Sequence, residues 1–170
     1  YSYEAPGGRI ANTGFNETNF SGQLGFNKKW GYAHLNLSSF QNNIGLPDFS
    51  RNADGMFEDE NGSVLTDKQL KDRTLFLPFQ DIRHYKIAMN SHVLLGSGRL
   101  RTILAYQNNQ RRELEDGRIN PSLFFDLKTY SSDFKYYINE SNGWEPVIGL
   151  SASAQNNKNK AEELLIPDYT

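Results

Sequence analysis

Long runs in which apolar and polar side chains alternate residue by residue dominate this chain, and they commit it to β-sheet. A strand turns successive side chains to opposite faces, whereas a helix repeats every 3.6 residues and would scatter such a pattern around its circumference. Six runs follow the rule. Residues 20–27 set Phe20, Gly22, Leu24 and Phe26 against Ser21, Gln23, Gly25 and Asn27, and residues 32–41 set Ala33, Leu35 and Leu37 against His34, Asn36 and Ser38. Residues 82–95 separate Tyr85, Ile87, Met89 and Val93 from His84, Lys86, Ala88, Asn90 and His92. Residues 99–111 separate Leu100, Thr102, Leu104 and Tyr106 from Arg99, Arg101, Ile103, Ala105, Gln107 and Asn109. In 123–138 the apolar set is Leu123, Phe125 and Leu127 with Thr129, opposite Asp126, Lys128 and Tyr130; in 147–157 it is Ile148, Leu150, Ala152 and Ala154.

The connections are unequal. Tight ones are expected at 28–31, 96–98 and 139–143, and long ones at 45–78, 113–121 and in a tail from 156. Transmembrane barrels keep short turns at one end and extended loops at the other, and a tilted spanning strand needs roughly 9 to 11 residues. The expectation is an all-β fold: an antiparallel up-and-down meander of about six long hairpin-connected strands, a fragment of a transmembrane β-barrel. Residues 1–170 form a single segment with a long loop insertion at 45–78. That insertion predicts a hairpin over 56–65 about Asn61-Gly62, and a short helix over 67–72 started by a capping box from Thr66 to Gln69. Residues 1–19 read as loop.

A hydrophobic content of 37% over 170 residues contains no run of about 20 apolar residues, which excludes a spanning helix but not spanning strands. A formal net charge of −2 with scattered Lys and Arg argues against nucleic acid as a partner. The lack of cysteine removes thiolate metal sites, disulfides and cysteine nucleophiles. The chain starts at Tyr1 and ends in an apolar, aromatic Leu165-Ile166-Pro167-Asp168-Tyr169-Thr170, as a piece cut from a longer polypeptide would.

Aromatic residues Phe26, Trp30 and Tyr32 flank the first tight turn and Tyr136, Tyr137 and Trp144 the third, where interfacial girdles would lie. On the opposite faces His84, Lys86, Asn90, His92, Arg101 and Gln107 need solvation in mid-strand, as a water-filled or plug-filled lumen, or the open face of a soluble sheet, would supply. Asn109, Arg111 and Arg112 stand where the fourth strand meets a long loop and are candidate ligand contacts, since arginine forks onto carboxylate oxygens. His34, His84 and His92 lack the spacing of a metal site, and Glu58-Asp59-Glu60 lacks the ligand order of a calcium loop. With no nucleophile, base and orienting group in context, no enzyme, cofactor or metal is expected.

Several segments resemble the TonB-dependent outer-membrane receptors typical of Bacteroidetes. They are Pro78-Phe79-Gln80-Asp81-Ile82-Arg83-His84, Tyr106-Gln107-Asn108-Asn109-Gln110-Arg111-Arg112-Glu113, Leu127-Lys128-Thr129-Tyr130 and Leu165-Ile166-Pro167-Asp168-Tyr169, with Asn12-Thr13-Gly14-Phe15 and Ile44-Gly45-Leu46-Pro47 upstream. The resemblance implies a barrel of about 22 strands filled by a plug domain, importing an iron complex such as a ferric siderophore on energy from the TonB complex. It implies the cell outer membrane as location, and outer-membrane lipid, TonB complex, plug domain and iron-siderophore as partners. No plug domain is visible in the sequence. An isolated piece is expected to self-associate through open strand edges. A soluble β-sandwich or adhesin-like binding module, and a glycan-importing receptor, are the alternative readings.

Overall fold

A computed structural model describes residues 4, 5, 8–47, 49–59, 61–115, 120–164 and 167–169. A two-stranded ribbon, β1 (Glu4–Ala5) with β2 (Gly8–Arg9), precedes the main sheet. The sheet contains β3 (Phe15–Lys28), β4 (Gly31–Gly45), β5 (Phe79–Leu95), β6 (Gly98–Leu114), β7 (Leu123–Tyr137) and β8 (Val147–Asn159), each antiparallel to the next in chain order. This is the expected six-stranded meander, and its sheet is open. Strands of 13 to 17 residues are two to three times the usual globular length.

Two differences lie in the connections. β3 begins at Phe15, five residues before the alternation does, because Asn16, Glu17, Thr18 and Asn19 pair along β4 by backbone bonds that side-chain polarity does not reveal. The first two turns are tight: two residues, Lys29 and Trp30, and then Gly96 and Ser97, with Gly96 at φ 61°. The third is not. β7 ends at Tyr137 and β8 starts at Val147, so nine residues intervene, about as many as the eight between β6 and β7. The expected tight turn survives only as a small reversal inside this loop, where Ser141 pairs with Trp144 and Asn142 and Gly143 take positive φ. Aromatic and apolar Ile138, Trp144 and Pro146 thus form an excursion instead of strand.

The 46–78 connection has the internal structure expected of it. One antiparallel bridge joins Arg51 to Phe57 around Gly55 at φ 78°, and a second joins Glu58 to Val64 around Gly62 at φ 76°. α1 (Asp67–Leu70) starts from a complete capping box between Thr66 and Gln69. Glu60 of the acidic cluster and Leu165, Ile166 and Thr170 of the tail lie outside the described residues. Tyr169 exchanges backbone hydrogen bonds with Asn157 at 2.9 and 3.3 Å, an isolated antiparallel bridge on the outer edge of β8.

The register sorts every strand onto two unlike faces. Cross-strand rows on the first read Phe26, Ala33, Ser91, Thr102, Phe134, Leu150; then Leu24, Leu35, Met89, Leu104, Ser132, Ala152; then Gly22, Leu37, Ile87, Tyr106, Tyr130, Ala154. None of these positions holds Asp, Glu, Lys, Arg or His. The matching rows of the second face carry Gln23, His34, Asn36, Asn90, Asp133 and Ser151, and then Ser21, Ser38, Lys86, Gln107, Thr129 and Gln155.

One strand corrects the sequence reading. In β7 the residues on the apolar face are Tyr130, Phe134 and Tyr136, while Leu123, Phe125 and Leu127 share the polar face with Asn109 and Arg111. Neighbouring strands decide the matter, since Tyr106 pairs with Tyr130 and Thr102 with Phe134; the ring centroids of the two tyrosines are 5.0 Å apart. The local run of apolar residues at the start of β7 serves the loop end instead. Leu123 is 1% exposed there, and Ser122 and Asn157 are equally buried.

Among the described residues only Ala11, Phe57 and Leu123 are buried hydrophobics. The chain exposes 11652 Å², against about 8,500 Å² for a compact monomer of its 19.4 kDa. The excess, about 3,000 Å², is as large as an obligate subunit interface. Backbone ladders hold this sheet together; among the described residues no hydrophobic core packs beneath its apolar face.

Candidate functional site

The polar face is a continuous wall positioned by five consecutive hairpin ladders. Near the tight turns Tyr32 stacks on His34 with ring centroids 4.9 Å apart and leans on His92 at 5.6 Å, while a His34 ring nitrogen lies 3.2 Å from Asn27 Oδ1. Arg101 stands opposite His92, and Asn90 opposite His34. At mid-height Lys86 faces Gln107, which faces Thr129, and Gln155 Nε2 donates to Thr129 Oγ1 at 3.3 Å. Ser151 donates to Asp133 Oδ2 at 2.6 Å. All six residues read as facing a wet interior, His84, Lys86, Asn90, His92, Arg101 and Gln107, therefore share one face.

Towards the long-loop end His84 pairs with Asn109, and Arg111 with Ile82. Asn109 and Arg111 sit two residues apart on the polar face. Arg112 does not join them, because adjacent residues of a strand point to opposite sides. Its guanidinium lies on the other face, 4.5 Å from the centroid of the Phe124 ring and 3.8 Å from Asp81. Of the three residues read as candidate ligand contacts, Asn109 and Arg111 therefore share a face with His84, and Arg112 does not. Buried polar atoms without a hydrogen-bond partner among the described residues include His84 Nε2, Asn42 Oδ1, Asn90 Oδ1 and Arg111 Nε. These four belong to the polar face, while Arg112 Nε, on the other face, is likewise without one. Such atoms cost about 1–3 kcal/mol each when unsatisfied.

Three features escaped the sequence. Asn12, at φ 52°, places Nδ2 within 2.8–3.0 Å of the carbonyl oxygens of Leu46, Phe76 and Pro78, closing the base of the 46–78 loop. On the apolar side Asp126 accepts from Asn108 at 2.5 Å and from Lys160 at 2.6 Å. Asp81 holds Arg83 by two bonds of 2.9 and 3.1 Å. The Asp81–Arg83 spacing of two is a usable sequence signal for same-face pairing; the other contacts span long separations and give none.

In the 46–78 loop, backbone and hydroxyl hydrogen bonds from Thr74 hold the Asp72 carboxyl below its ordinary pKa. Among the described residues no helix is long and apolar enough to cross a membrane, and no three His, Cys, Asp or Glu side chains converge as metal ligands would. Comparison with known proteins finds no matching family, curated protein or solved structure. The fold therefore defines the class by geometry alone: an all-β domain of six antiparallel, hairpin-connected strands in an open sheet, one face of which carries three consecutive rows without charge.

Proposed function

We propose that this chain is part of the wall of an outer-membrane β-barrel, with its apolar face toward lipid and its polar face toward the lumen. The observation that carries the reading is the sidedness of the sheet. Three full rows lack any charge on one face, while the same strands carry His, Lys, Arg, Asp and Asn on the other. From Tyr85 to Val93 the apolar side of β5 covers nine residues, about 27 Å of strand. At a tilt of ~40° this projects to about 21 Å, close to the apolar belt of ~25 Å in such barrels. Phe26 and Trp30, with centroids 5.9 Å apart, lie at the tight-turn border of the belt, and Phe20 and Tyr85 at the other.

Six strands cannot close a membrane barrel, whose smallest members have about 8. Closure in this reading requires more strands, paired along the edge strands β3 and β8. The receptor type and cargo rest on the sequence resemblance: a TonB-dependent receptor for a scarce nutrient, a ferric siderophore or related iron complex. In that reading Asn109 and Arg111, with His84, face the passage at the long-loop end, and the unsatisfied polar atoms meet a plug.

Fractionation of the natural polypeptide that carries this segment tests both levels. Recovery in outer membranes, with detergent needed for solubility, supports the barrel. Loss of growth on ferric siderophore after gene deletion, restored by wild type and weakened by Arg111→Gln, supports the cargo. A product that stays soluble without detergent refutes the barrel, and unchanged iron-limited growth refutes the cargo.

A further inference from the structure

Beyond the uncharged rows, the apolar face changes character abruptly at the long-loop end. Lys128 lies one row past Tyr130; Arg83 and Lys158 follow one row further, and Arg112 the row after that. Lys160 joins them, since its Nζ lies 5.0 Å from the centroid of the same Phe124 ring that Arg112 covers. Five cations are thus gathered within three rows, against Asp81, Asp126 and Glu162 in the same region, which leaves two positive charges in excess. At the opposite border of the belt the strands place only Lys28 on this face.

We propose that this cationic shelf binds the phosphate groups of anionic lipids in the leaflet at the long-loop end. The proposal rests on the barrel reading above and adds to it the polarity of the lipid. Three observations carry it. The shelf begins directly where the apolar belt ends, at the height of Tyr85, where head groups would stand. Arg112 and Lys160 are held on one aromatic ring and keep 31% and 42% of their side-chain surface exposed, so both retain donors for a phosphate oxygen. Lys128 and Lys158 have no ion-pair partner among the described residues. Their long apolar stems can lie along the belt with the ammonium groups at the interface.

The test uses the full natural polypeptide in nanodiscs of phosphatidylcholine alone or mixed equally with phosphatidylglycerol, with bound anionic lipid counted by native mass spectrometry. Wild type is expected to retain phosphatidylglycerol selectively. The double variant Arg112→Gln/Lys160→Gln should bind it about 30-fold more weakly, each basic residue near a charged leaflet contributing about fivefold. The charge-preserving Arg112→Lys/Lys160→Arg should retain it. Should the first variant fail to fold, Lys128→Gln/Lys158→Gln removes two cations without breaking an ion pair and should show the same loss. The polar-face pair Arg101→Gln/Lys135→Gln should show none. Equal retention by all variants overturns the shelf, as does an equal loss from the polar-face pair or displacement of the lipid by inorganic phosphate. In those cases the protein still inserts. Failure of wild type to enter either nanodisc overturns the barrel itself.

Discussion

Placing an arginine at the middle of the apolar belt puts the lipid-facing assignment at its greatest risk. On β6, Leu104 sits in the central row, level with Met89, while Leu100 lies two rows away at the tight-turn border. Four residues separate them, about 14 Å of strand, or about 10 Å of depth at ~40° tilt. An arginine at the bilayer midplane costs about 2–4 kcal/mol, falling to about 0–1 kcal/mol near the interface. Leu104→Arg should therefore shift the folded-to-unfolded ratio by about 30-fold to several-hundred-fold, and Leu100→Arg by less than about sixfold. Ala105→Arg, next door but on the polar face, should stay within about 0.5 kcal/mol of wild type. The assay is urea unfolding of the natural polypeptide in phosphatidylcholine vesicles, read by the heat-sensitive gel mobility of folded barrels. In water Leu104 is already 38% exposed, so a soluble sheet with this face open would absorb the arginine at little cost. A Leu104→Arg effect within 0.5 kcal/mol, or an Ala105→Arg effect equal to it, refutes the assignment.

Truncating the best-buried apolar side chain by Leu123→Ala should cost about 2–5 kcal/mol in the same unfolding assay; a loss below about 1 kcal/mol would show that the loop end is not packed around it. Gly31 has φ 150°, and a Cβ there would overlap the His92 carbonyl oxygen and Val93 Cα, so Gly31→Ala should destabilise the first turn by about 1–3 kcal/mol. Gly62→Ala, whose Cβ meets open space, should cost less, and equal losses would argue against the close β4–β5 approach. The Asp72 carboxyl is held below its ordinary value, so its turn is at full strength above that value and weakens as pH falls through the lowered one. The Thr74 amide resonance should stay constant from neutral pH to about pH 5 and move only in more acidic solution; a transition near neutrality would contradict the Thr74 hydrogen bonds.

Strand existence was legible because alternation is a local property. From Phe20 to Phe26, or from Ile148 to Ala154, each residue reports its own side without reference to partners. Boundaries were less so. Asn16 to Asn19 are polar on both faces, and only the ladder to Gln41, Asn42 and Asn43 makes them strand. The stretch 138–146 shows the opposite error: aromatic Trp144 and a turn dipeptide suggest a tight hairpin, yet the Ile138 amide reaches the Pro146 carbonyl and encloses the smaller reversal. The capping box at Thr66 was readable because both halves lie three residues apart.

The β7 reversal shows why the site was harder to see than the fold. Leu123, Phe125 and Leu127 alternate as well as any apolar set in the chain, so periodicity alone assigns them to the same surface as Leu104. Register is a relation between strands, and a slip of one residue exchanges the faces of a whole strand. The alternative register would set Tyr130, Phe134 and Tyr136 among the charged residues of the polar face, while moving Lys135 and Asp133 onto the face of the uncharged rows. Charge in those rows is the costlier error, so the observed pairing of Asp133 with Ser151, and of Lys135 beside Arg101, is the one that keeps ions out of the three uncharged rows. The same relation sends Arg111 and Arg112 apart. One is left with Asn109 on the wall proposed to face the lumen and the other with Lys160 on the shelf proposed to meet lipid, so a single dipeptide serves both surfaces.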